Sequence, residues 1–179
     1  MHIGENGKES KTEAVVFKAA GTNYKDYDTS TVEVGTGYIT YTKTFKYLGS
    51  IISYDLSDTP DIENRIIQAR KALNTFMPHV FRNSHLSLRV KKLLYLAIPI
   101  NLVLWGCESW ALKHTDMKKI QVFHSSAIRR ILNINMVEVQ NEHLSNTILY
   151  QKFSIDTIED IMVSRQLRWI GKIARMPEN

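Results

Sequence analysis

The chain contains 179 residues, which suffices for one domain or for a small unit joined to a larger one. Hydrophobic residues make up 44% of it, so it can bury a core, and its few Gly and Pro residues argue against disorder. A single cysteine, Cys107, excludes an internal disulfide framework and suits a reducing compartment.

The formal net charge of +5 is distributed unevenly along the chain. Residues 1–60 carry a net charge of −2, residues 61–134 carry +8, and residues 135–179 carry −1. The cationic middle segment would attract a polyanion such as a nucleic acid. A solvated basic face without a ligand is the alternative, and charge alone leaves both open.

Residues 1–57 are predicted to form a small antiparallel sheet. The run TEAVVF is typical of a short strand, and STVEV and GYITYT flank the Gly-Thr-Gly of residues 35–37 as a tight hairpin. The stretch FKYLGSIISY, residues 45–54, alternates as one further strand, in which Gly49 indicates a bulge or a close backbone approach.

The rest of the chain is predicted to be helical, so the expected fold class is α+β, mainly α. Asp58 or Thr59 can cap the first helix, and Pro78 is expected to end it. Ser87 can cap the second helix, and the third runs from about residue 115 to residue 132. The segments SNTILYQKF and IDTIEDIMVSRQLRWIGKIARM are predicted to form two more helices. The predicted domains are residues 1–57, 58–135 and 136–179.

Helical periodicity predicts which side chains of three helices face the core. These are Ile62, Ile66, Ala69, Leu73 and Phe76, then Met117, Ile120, Phe123, Ala127, Ile128 and Ile131, then Ile158, Met162, Trp169, Ile173 and Met176. Beside the last stripe lies a cationic row at spacings of three, four and three, formed by Arg165, Arg168, Lys172 and Arg175. The row is either a binding surface or a solvated face beside the core.

The sequence contains no motif of an independent enzyme. No two of the six histidines have zinc-ligand spacing, and neither a Gly-x-Ser-x-Gly motif nor a phosphate-binding Gly loop occurs. Cys107 is predicted to be a packed thiol, and His124 a hydrogen-bonded core residue. The Gly and the terminal Glu of a calcium loop are missing around Asp55, Asp58 and Asp61, so these residues are expected to serve in turns and caps.

No membrane segment is predicted. The N-terminal residues are polar, unlike a signal peptide, and the longest apolar run, residues 93–105, has only 13 residues. A bilayer span needs about 20. We therefore expect an intracellular protein, in the nucleus or the cytoplasm, without a membrane partner.

Six segments of the chain resemble, in order and spacing, the C-terminal part of the non-LTR retrotransposon reverse transcriptases. FKYLGSIIS resembles the primer grip, which closes the palm and precedes the thumb. GENGKESKTEAVVF is similar to the segment after the polymerase active-site hairpin, and DIENRIIQARKAL to the first thumb helix. Three more segments are similar to the helices that follow, namely LYLAIPINLVLWGCESWAL, FHSSAIRRILNI and RQLRWIGKIARM. The resemblance covers nearly the whole chain.

The resemblance implies roles for particular residues. Lys11 matches a lysine near the incoming nucleotide, although an exposed turn lysine is the alternative here. The primer grip is a hairpin that supports the 3′ end of the primer in the family, and here it would comprise Phe45, Lys46, Tyr47, Leu48 and Gly49. Palm core is the alternative for the two aromatic residues. The candidate phosphate contacts are Arg65, Arg70, Lys71, Arg89, Lys91, Lys92, Arg129 and Arg130, with Arg165, Arg168, Lys172 and Arg175 as an extension.

Three departures from the family accompany the resemblance. Lys172 stands where the family usually has His, which adds charge to the cationic row, and Asn133 replaces a frequent Gly, which predicts a different helix ending. The family holds Mg²⁺ with two aspartates of a Tyr-x-Asp-Asp turn. This chain has no such turn, so it is expected to be a C-terminal part of such an enzyme and to hold no cofactor itself.

The expected function is therefore nucleic-acid binding without catalysis. The partner would be an RNA–DNA hybrid or template–primer duplex, read through its shape and phosphates. The missing palm and fingers of a parent polymerase would be a second partner. An inert or repurposed helical module that packs on a protein is the alternative, and polymerisation by this chain alone is not expected.

Overall fold

The computed structural model describes residues 12–17, 31–35 and 37–177. The chain divides into two compact units, Met1–Asp61 and Ile62–Asn179. The first unit contains the strands, and the second contains nearly all of the helical residues. The predicted class, α+β and mainly α, is confirmed.

A three-stranded sheet occupies part of the first unit. Its strands are β1 (Glu13–Ala14), β2 (Thr31–Val34) and β3 (Gly37–Tyr41), in the order β1-β3-β2. The predicted hairpin is confirmed, because β2 and β3 are antiparallel and Val34 pairs with Gly37. The sheet is not wholly antiparallel, however, since β1 pairs in parallel with β3.

The stretch FKYLGSIISY forms a second, two-stranded sheet rather than one strand. Strand β4 (Thr44–Tyr47) and strand β5 (Ser50–Ser53) are antiparallel, and Tyr47 pairs with Ser50. The two connecting residues, Leu48 and Gly49, have φ angles of 48° and 89°. Positive φ at both positions is the geometry of a type I′ hairpin turn. Gly49 therefore marks a turn rather than the bulge that the alternation suggested, and the stretch forms a hairpin, as its resemblance to the primer grip implies.

The first turn of helix α1 (Thr59–Phe76) contacts this hairpin. The buried side chain of Asp61 accepts a hydrogen bond at Oδ1 from the backbone N–H of Ile51, over 2.8 Å. A buried N–H without an acceptor is costly. Asp61 thus stabilises the outer edge of β5, in addition to the favourable position of its charge near the helix N-terminus.

Replacing Asp61 with Ala is expected to loosen the β4–β5 hairpin. The Ile51 N–H loses a carboxylate acceptor, which costs about 1–3 kcal/mol for a partly buried donor. Hydrogen exchange at the Ile51 amide would report this loss as faster exchange. The matched control is Asp55→Ala, because Asp55 accepts from the exposed Ser57 amide at 3.1 Å, in a short turn that does not include Ile51. Equal exchange at Ile51 in Asp61→Ala and wild type would contradict the assignment.

The second unit is a helical bundle. After α1 it contains α2 (Leu88–Tyr95), α3 (Asn101–Val103), α4 (His114–Ile131), α5 (Met136–Asn141), α6 (Asn146–Phe153) and α7 (Ile158–Ile173). The predicted cap of α2 is confirmed, since the Ser87 side chain accepts from the Val90 amide at 3.4 Å. Helix α5 was not predicted, although Asn135 and Glu138 form a capping box there, which the sequence displays as N-x-x-E.

Proline does not end two of these helices. Met77–Phe81, with Pro78, continues α1 as a π-helical turn, and Leu96–Ile100, with Pro99, joins α2 to α3 in the same way. In a regular α-helix a proline ring clashes with the carbonyl four residues before it. The wider π turn accommodates that clash, which is why the predicted end at Pro78 is wrong.

The core of the second unit matches the predicted stripes in α1 and α4. Ile62, Ile66, Ala69 and Leu73 are buried in α1, and Ile120, Phe123, Ala127, Ile128 and Ile131 in α4, while Phe76 and Met117 pack against the core from its edge. Helix α4 ends with Asn133 at φ 58°, the left-handed conformation that glycine and asparagine adopt most readily. The Ile134 amide then donates to the Arg129 carbonyl at 2.9 Å, so Asn133 forms the left-handed helix ending that glycine commonly forms.

Candidate nucleic-acid interface

The tip of the β4–β5 hairpin presents exposed side chains. Phe45 is half-buried and pairs with Ile52, whereas Lys46 is exposed, Tyr47 is 57% exposed and Leu48 is 84% exposed. A large apolar side chain at positive φ is unfavourable in two ways, through its backbone conformation and through its contact with water. Folding stability within the described residues therefore does not explain why a leucine stands at this position.

Replacing Leu48 with Asn is expected to stabilise the fold by about 1 kcal/mol, because Asn tolerates the left-handed conformation that type I′ turns require. The opposite control is Gly49→Ala, which places a Cβ at φ 89° and should destabilise the fold by a similar amount. Urea unfolding measures both. A loss of stability in Leu48→Asn would show that the Leu48 side chain has a structural role.

The candidate phosphate contacts differ in their exposure. Seven are exposed, namely Arg70, Lys71, Arg89, Arg130, Arg168, Lys172 and Arg175. Three are half-buried, namely Lys92, Arg129 and Arg165. Arg65 and Lys91 are only 6% and 8% exposed, so neither belongs to an open cationic surface. The structure thus separates an exposed set from two buried cations.

Three of the arginines contact asparagines on neighbouring helices. Arg130 donates to Asn74 Oδ1 at 2.8 Å, between α4 and α1, and Arg129 donates to Asn146 Oδ1 at 3.5 Å, between α4 and α6. Arg165 of α7 donates to Asn101 Oδ1 of α3. A neutral amide orients a guanidinium without cancelling its charge. These pairs connect the helices and leave the arginines available to an anion, an arrangement that helix periodicity could not reveal.

Lys92 has a structural contact instead. Its Nζ donates to the Ser154 carbonyl at 2.9 Å, just after α6, where Ser154 adopts φ 52°. The last carbonyls of a helix lack intrahelical partners, and a cation near them is favourable. Lys92 therefore caps α6, and a phosphate would have to compete with that contact.

Helix α7 divides into a packed half and an exposed half. Ile158 and Met162 are buried as predicted. Trp169, Ile173 and Met176, predicted to continue the core stripe, are instead 47%, 43% and 56% exposed. The core-facing prediction for these three residues is wrong, because the second half of α7 leaves the bundle surface that covers its first half. The cationic row therefore runs beside uncovered apolar side chains.

A groove of about 450 Å³ lies between α1 and α4. Ile66, Ile67 and Val122 form its apolar side, and Arg70 and Lys118 lie at its polar side. Lys119 also lines it and pairs with Glu63 Oε1 at 2.7 Å and Asp116 Oδ1 at 3.1 Å. Hydrogen bonds to Glu63 and then to Asp116 raise the Lys119 pKa. Of the three cations, Lys119 is therefore the one that already has carboxylate partners.

His124 joins three elements in the core. Its Nδ1 lies 3.0 Å from Tyr95 Oη of α2, and its Nε2 lies 3.2 Å from the Asp156 carbonyl that precedes α7. A carbonyl only accepts, so Nε2 carries the proton and Nδ1 accepts from the Tyr95 hydroxyl. Burial lowers the His124 pKa to about 4, and burial raises the Tyr95 pKa well above its usual range. The prediction of a hydrogen-bonded core histidine is confirmed.

Cys107 is a packed thiol, as predicted. It is fully buried, and burial, followed by the charge of Glu108, raises its pKa to about 11. A thiol with that pKa is protonated at neutral pH and is a poor nucleophile. Its backbone carbonyl accepts from Gln166 Nε2 at 2.9 Å. This hydrogen bond connects α7 to Cys107 at the point where the packed half of the helix ends.

The described residues hold no group of three His, Cys, Asp or Glu side chains that could bind a metal ion. Lys11 lies outside the described residues. Within the described ranges, no helix combines the length and apolar character that crossing a bilayer requires.

The sequence matches no protein-family model, and it shows no significant similarity to a curated protein or to a solved structure. The six segments quoted above therefore carry the reverse-transcriptase resemblance by themselves.

Proposed function

We propose that this chain binds an RNA–DNA hybrid or template–primer duplex, as a C-terminal part of a non-LTR retrotransposon reverse transcriptase. The observation that carries the proposal is the run of six family-like segments in the family's order, from GENGKESKTEAVVF to RQLRWIGKIARM. The chain lacks the Tyr-x-Asp-Asp turn, so its own contribution is binding rather than phosphoryl transfer.

The placement of charge supports this proposal. Seven of the twelve candidate cations are exposed. Among the described contacts, none of these seven is paired with a carboxylate, and Arg130 has an amide partner that leaves its charge intact. Unneutralised cations on packed helices are the usual means of contacting phosphates irrespective of base sequence.

The hairpin tip supports it as well. Lys46, Tyr47 and Leu48 project from a short, tightly turned hairpin whose own stability does not require Leu48. In the family, the corresponding hairpin supports the primer 3′ end. We expect Leu48→Asn to weaken template–primer binding although it stabilises the fold, a combination that a purely structural role would not produce.

The direct test is fluorescence anisotropy with a labelled 20-base-pair RNA–DNA hybrid between about 50 and 200 mM salt. Binding through six phosphates should give a plot of log affinity against log salt with a slope of about −5. A scrambled hybrid of equal length should bind equally. Salt-independent binding, or no binding at about 50 mM salt, would contradict the proposal.

A repurposed protein-interaction module is the second candidate, and the exposed half of α7 favours it. Leu167, Trp169 and Ile170 are 63%, 47% and 55% exposed, and phosphates alone would not cover such side chains. Light scattering would detect self-association as a mass that rises with concentration. Self-association without hybrid binding would support this candidate over the first.

A further inference from the structure

The two helices that form the α1–α4 groove run parallel. Lys119 Nζ donates to Glu63 Oε1 at 2.7 Å, and Arg130 donates to Asn74 Oδ1 at 2.8 Å. Both contacts join residues that are 56 positions apart in the chain, so one register relates α1 to α4 along the whole groove. The first contact lies at one end of the groove, and the second lies one turn beyond the other end.

The middle of the groove is apolar. Ile66 of α1 is only 6% exposed and forms its floor, and in the shared register it lies level with Val122 of α4. Ile67 is 50% exposed and Val122 is 58% exposed. Single exposed apolar residues are ordinary on a protein surface, but two that border one apolar floor form a surface suited to docking.

A cation lies on each side of this apolar middle. Lys118 precedes Val122 by one turn of α4, and Arg70 follows Ile66 by one turn of α1, so the two are separated by two helical turns, about 11 Å along the axes. Both side chains are exposed, and neither forms an ion pair with a described residue. Glu63, the acidic residue that lines the groove, is already paired with Lys119.

We propose that the α1–α4 groove binds an amphipathic, acidic helix of a protein partner. Two large apolar side chains of that helix cover Ile67 and Val122, and two carboxylates reach Lys118 and Arg70. Carboxylates about seven positions apart in a helix, with apolar residues three and four positions after the first, share one face and match this spacing.

The lining of the groove selects this occupant over two others. Lys118 and Arg70 would repel a basic partner. A nucleic acid backbone carries a phosphate at every nucleotide and would leave Ile67 and Val122 uncovered. The partner is additional to the nucleic acid proposed above, and the two ligands would compete for Arg70, which is also a candidate phosphate contact.

The first experiment titrates the full chain with a labelled, end-blocked peptide of about 16 residues in an Ala and Gln background. The peptide carries two Glu residues about seven positions apart, with Leu three and four positions after the first. We expect fluorescence anisotropy to give a dissociation constant on the order of 100 μM and NMR shifts at the amides of Ile67, Arg70 and Val122. Replacing both Glu residues with Gln, or both Leu residues with Ala, should weaken binding at least about fivefold.

Matched variants of the chain test the two parts of the groove separately. Val122→Ala should weaken peptide binding about fivefold, whereas Val163→Ala, at an exposed valine of α7, should bind as wild type does. Arg70→Gln should weaken binding about threefold, and Lys71→Gln, which removes the same charge from the next position, should hardly change it. All four positions are exposed, so these variants should fold.

A charge reversal tests the pairing of Arg70 directly. Arg70→Glu should bind the peptide more weakly than Arg70→Gln does, because a carboxylate then opposes a carboxylate. A peptide with Lys in place of one Glu should bind Arg70→Glu better than it binds wild type. Failure of that exchange would overturn the assigned role of Arg70.

The outcomes decide the occupant of the groove independently of hybrid binding. Saturable peptide binding that Val122→Ala and Arg70→Gln both weaken would support the proposal, whether or not the chain binds a hybrid. No binding, or equal binding of the Gln-substituted peptide, would overturn it. Shifts at Ile67 and Val122 caused by the hybrid and not by the peptide would assign the groove to nucleic acid, and self-association that Val122→Ala abolishes would assign it to a second copy of the chain. Either of these results would also overturn the proposal.

Discussion

The free energy of unfolding should fall by about 3 kcal/mol as the pH is lowered from about 6.5 to about 4, because of His124. Burial lowers the His124 pKa from 6.5 to about 4, and Nδ1 accepts from Tyr95, so the folded state favours the neutral ring. The unfolded chain takes up the proton first. The stabilisation is therefore complete above pH 6.5 and is lost as the pH falls towards 4. Urea unfolding at half-unit pH steps measures it.

His124→Gln should flatten this pH dependence, at the cost of a lower free energy of unfolding throughout. His79→Gln, at an exposed position, should leave the dependence unchanged and is the matched control. The difference between the pH profiles of the wild type and His124→Gln isolates the contribution of His124. A profile that is flat in wild type, or that His79→Gln abolishes, would contradict the assignment.

Replacing Arg168, Lys172 and Arg175 together with Gln should weaken hybrid binding about 100-fold at 0.1 M salt. Each phosphate contact contributes close to one unit to the salt slope, so the slope should become shallower by about three units. All three side chains are exposed, so the free energy of unfolding should hardly change. Anisotropy titrations at four salt concentrations would give both quantities.

The control for that variant must remove the same charge elsewhere. Lys113, Lys118 and Lys152 are exposed and lie outside the candidate set, so their triple replacement with Gln has an identical net charge. We expect it to weaken binding by less than about threefold, through the general field alone. Equal losses in the two variants would mean that α7 makes no specific contact and that total charge governs the binding.

The helical half of the fold could be predicted because local chemistry and tertiary packing agree there. Ile62 to Leu73 and Ile120 to Ile131 recur at helical spacing and are buried, and Ser87 caps α2 as its side chain allows. Periodicity identifies a face that is suited to burial, but it does not say whether a partner is present. Trp169 and Ile173 fit the apolar stripe of α7. They remain exposed because no described residue covers that part of the helix.

Other features depend on which of two competing preferences prevails, and a local sequence pattern does not show that outcome. In FKYLGSIISY the alternation of a strand and the turn preference of Gly49 compete, and the turn prevails because Tyr47 and Ser50 can pair across it. At Pro78 and Pro99 the helix widens instead of ending, since the packing on both sides favours continuation. The candidate interface was predicted only as a set of cations, and burial separates Arg65 and Lys91 from the rest.

The π-helical turn at Leu96–Ile100 also determines where the chain can lose a residue without losing its fold. An α-helix rotates about 100° per residue, and a π turn accommodates one residue more than an α turn. Deleting Pro99 would remove the ring that clashes in a regular helix, and it would keep the faces of α2 and α3 in phase, whereas a single deletion within α4 would rotate Ile128 and Ile131 out of the core. Deletion of Pro99 should therefore be tolerated at this turn, and single-residue deletions should be rejected in the helices around it.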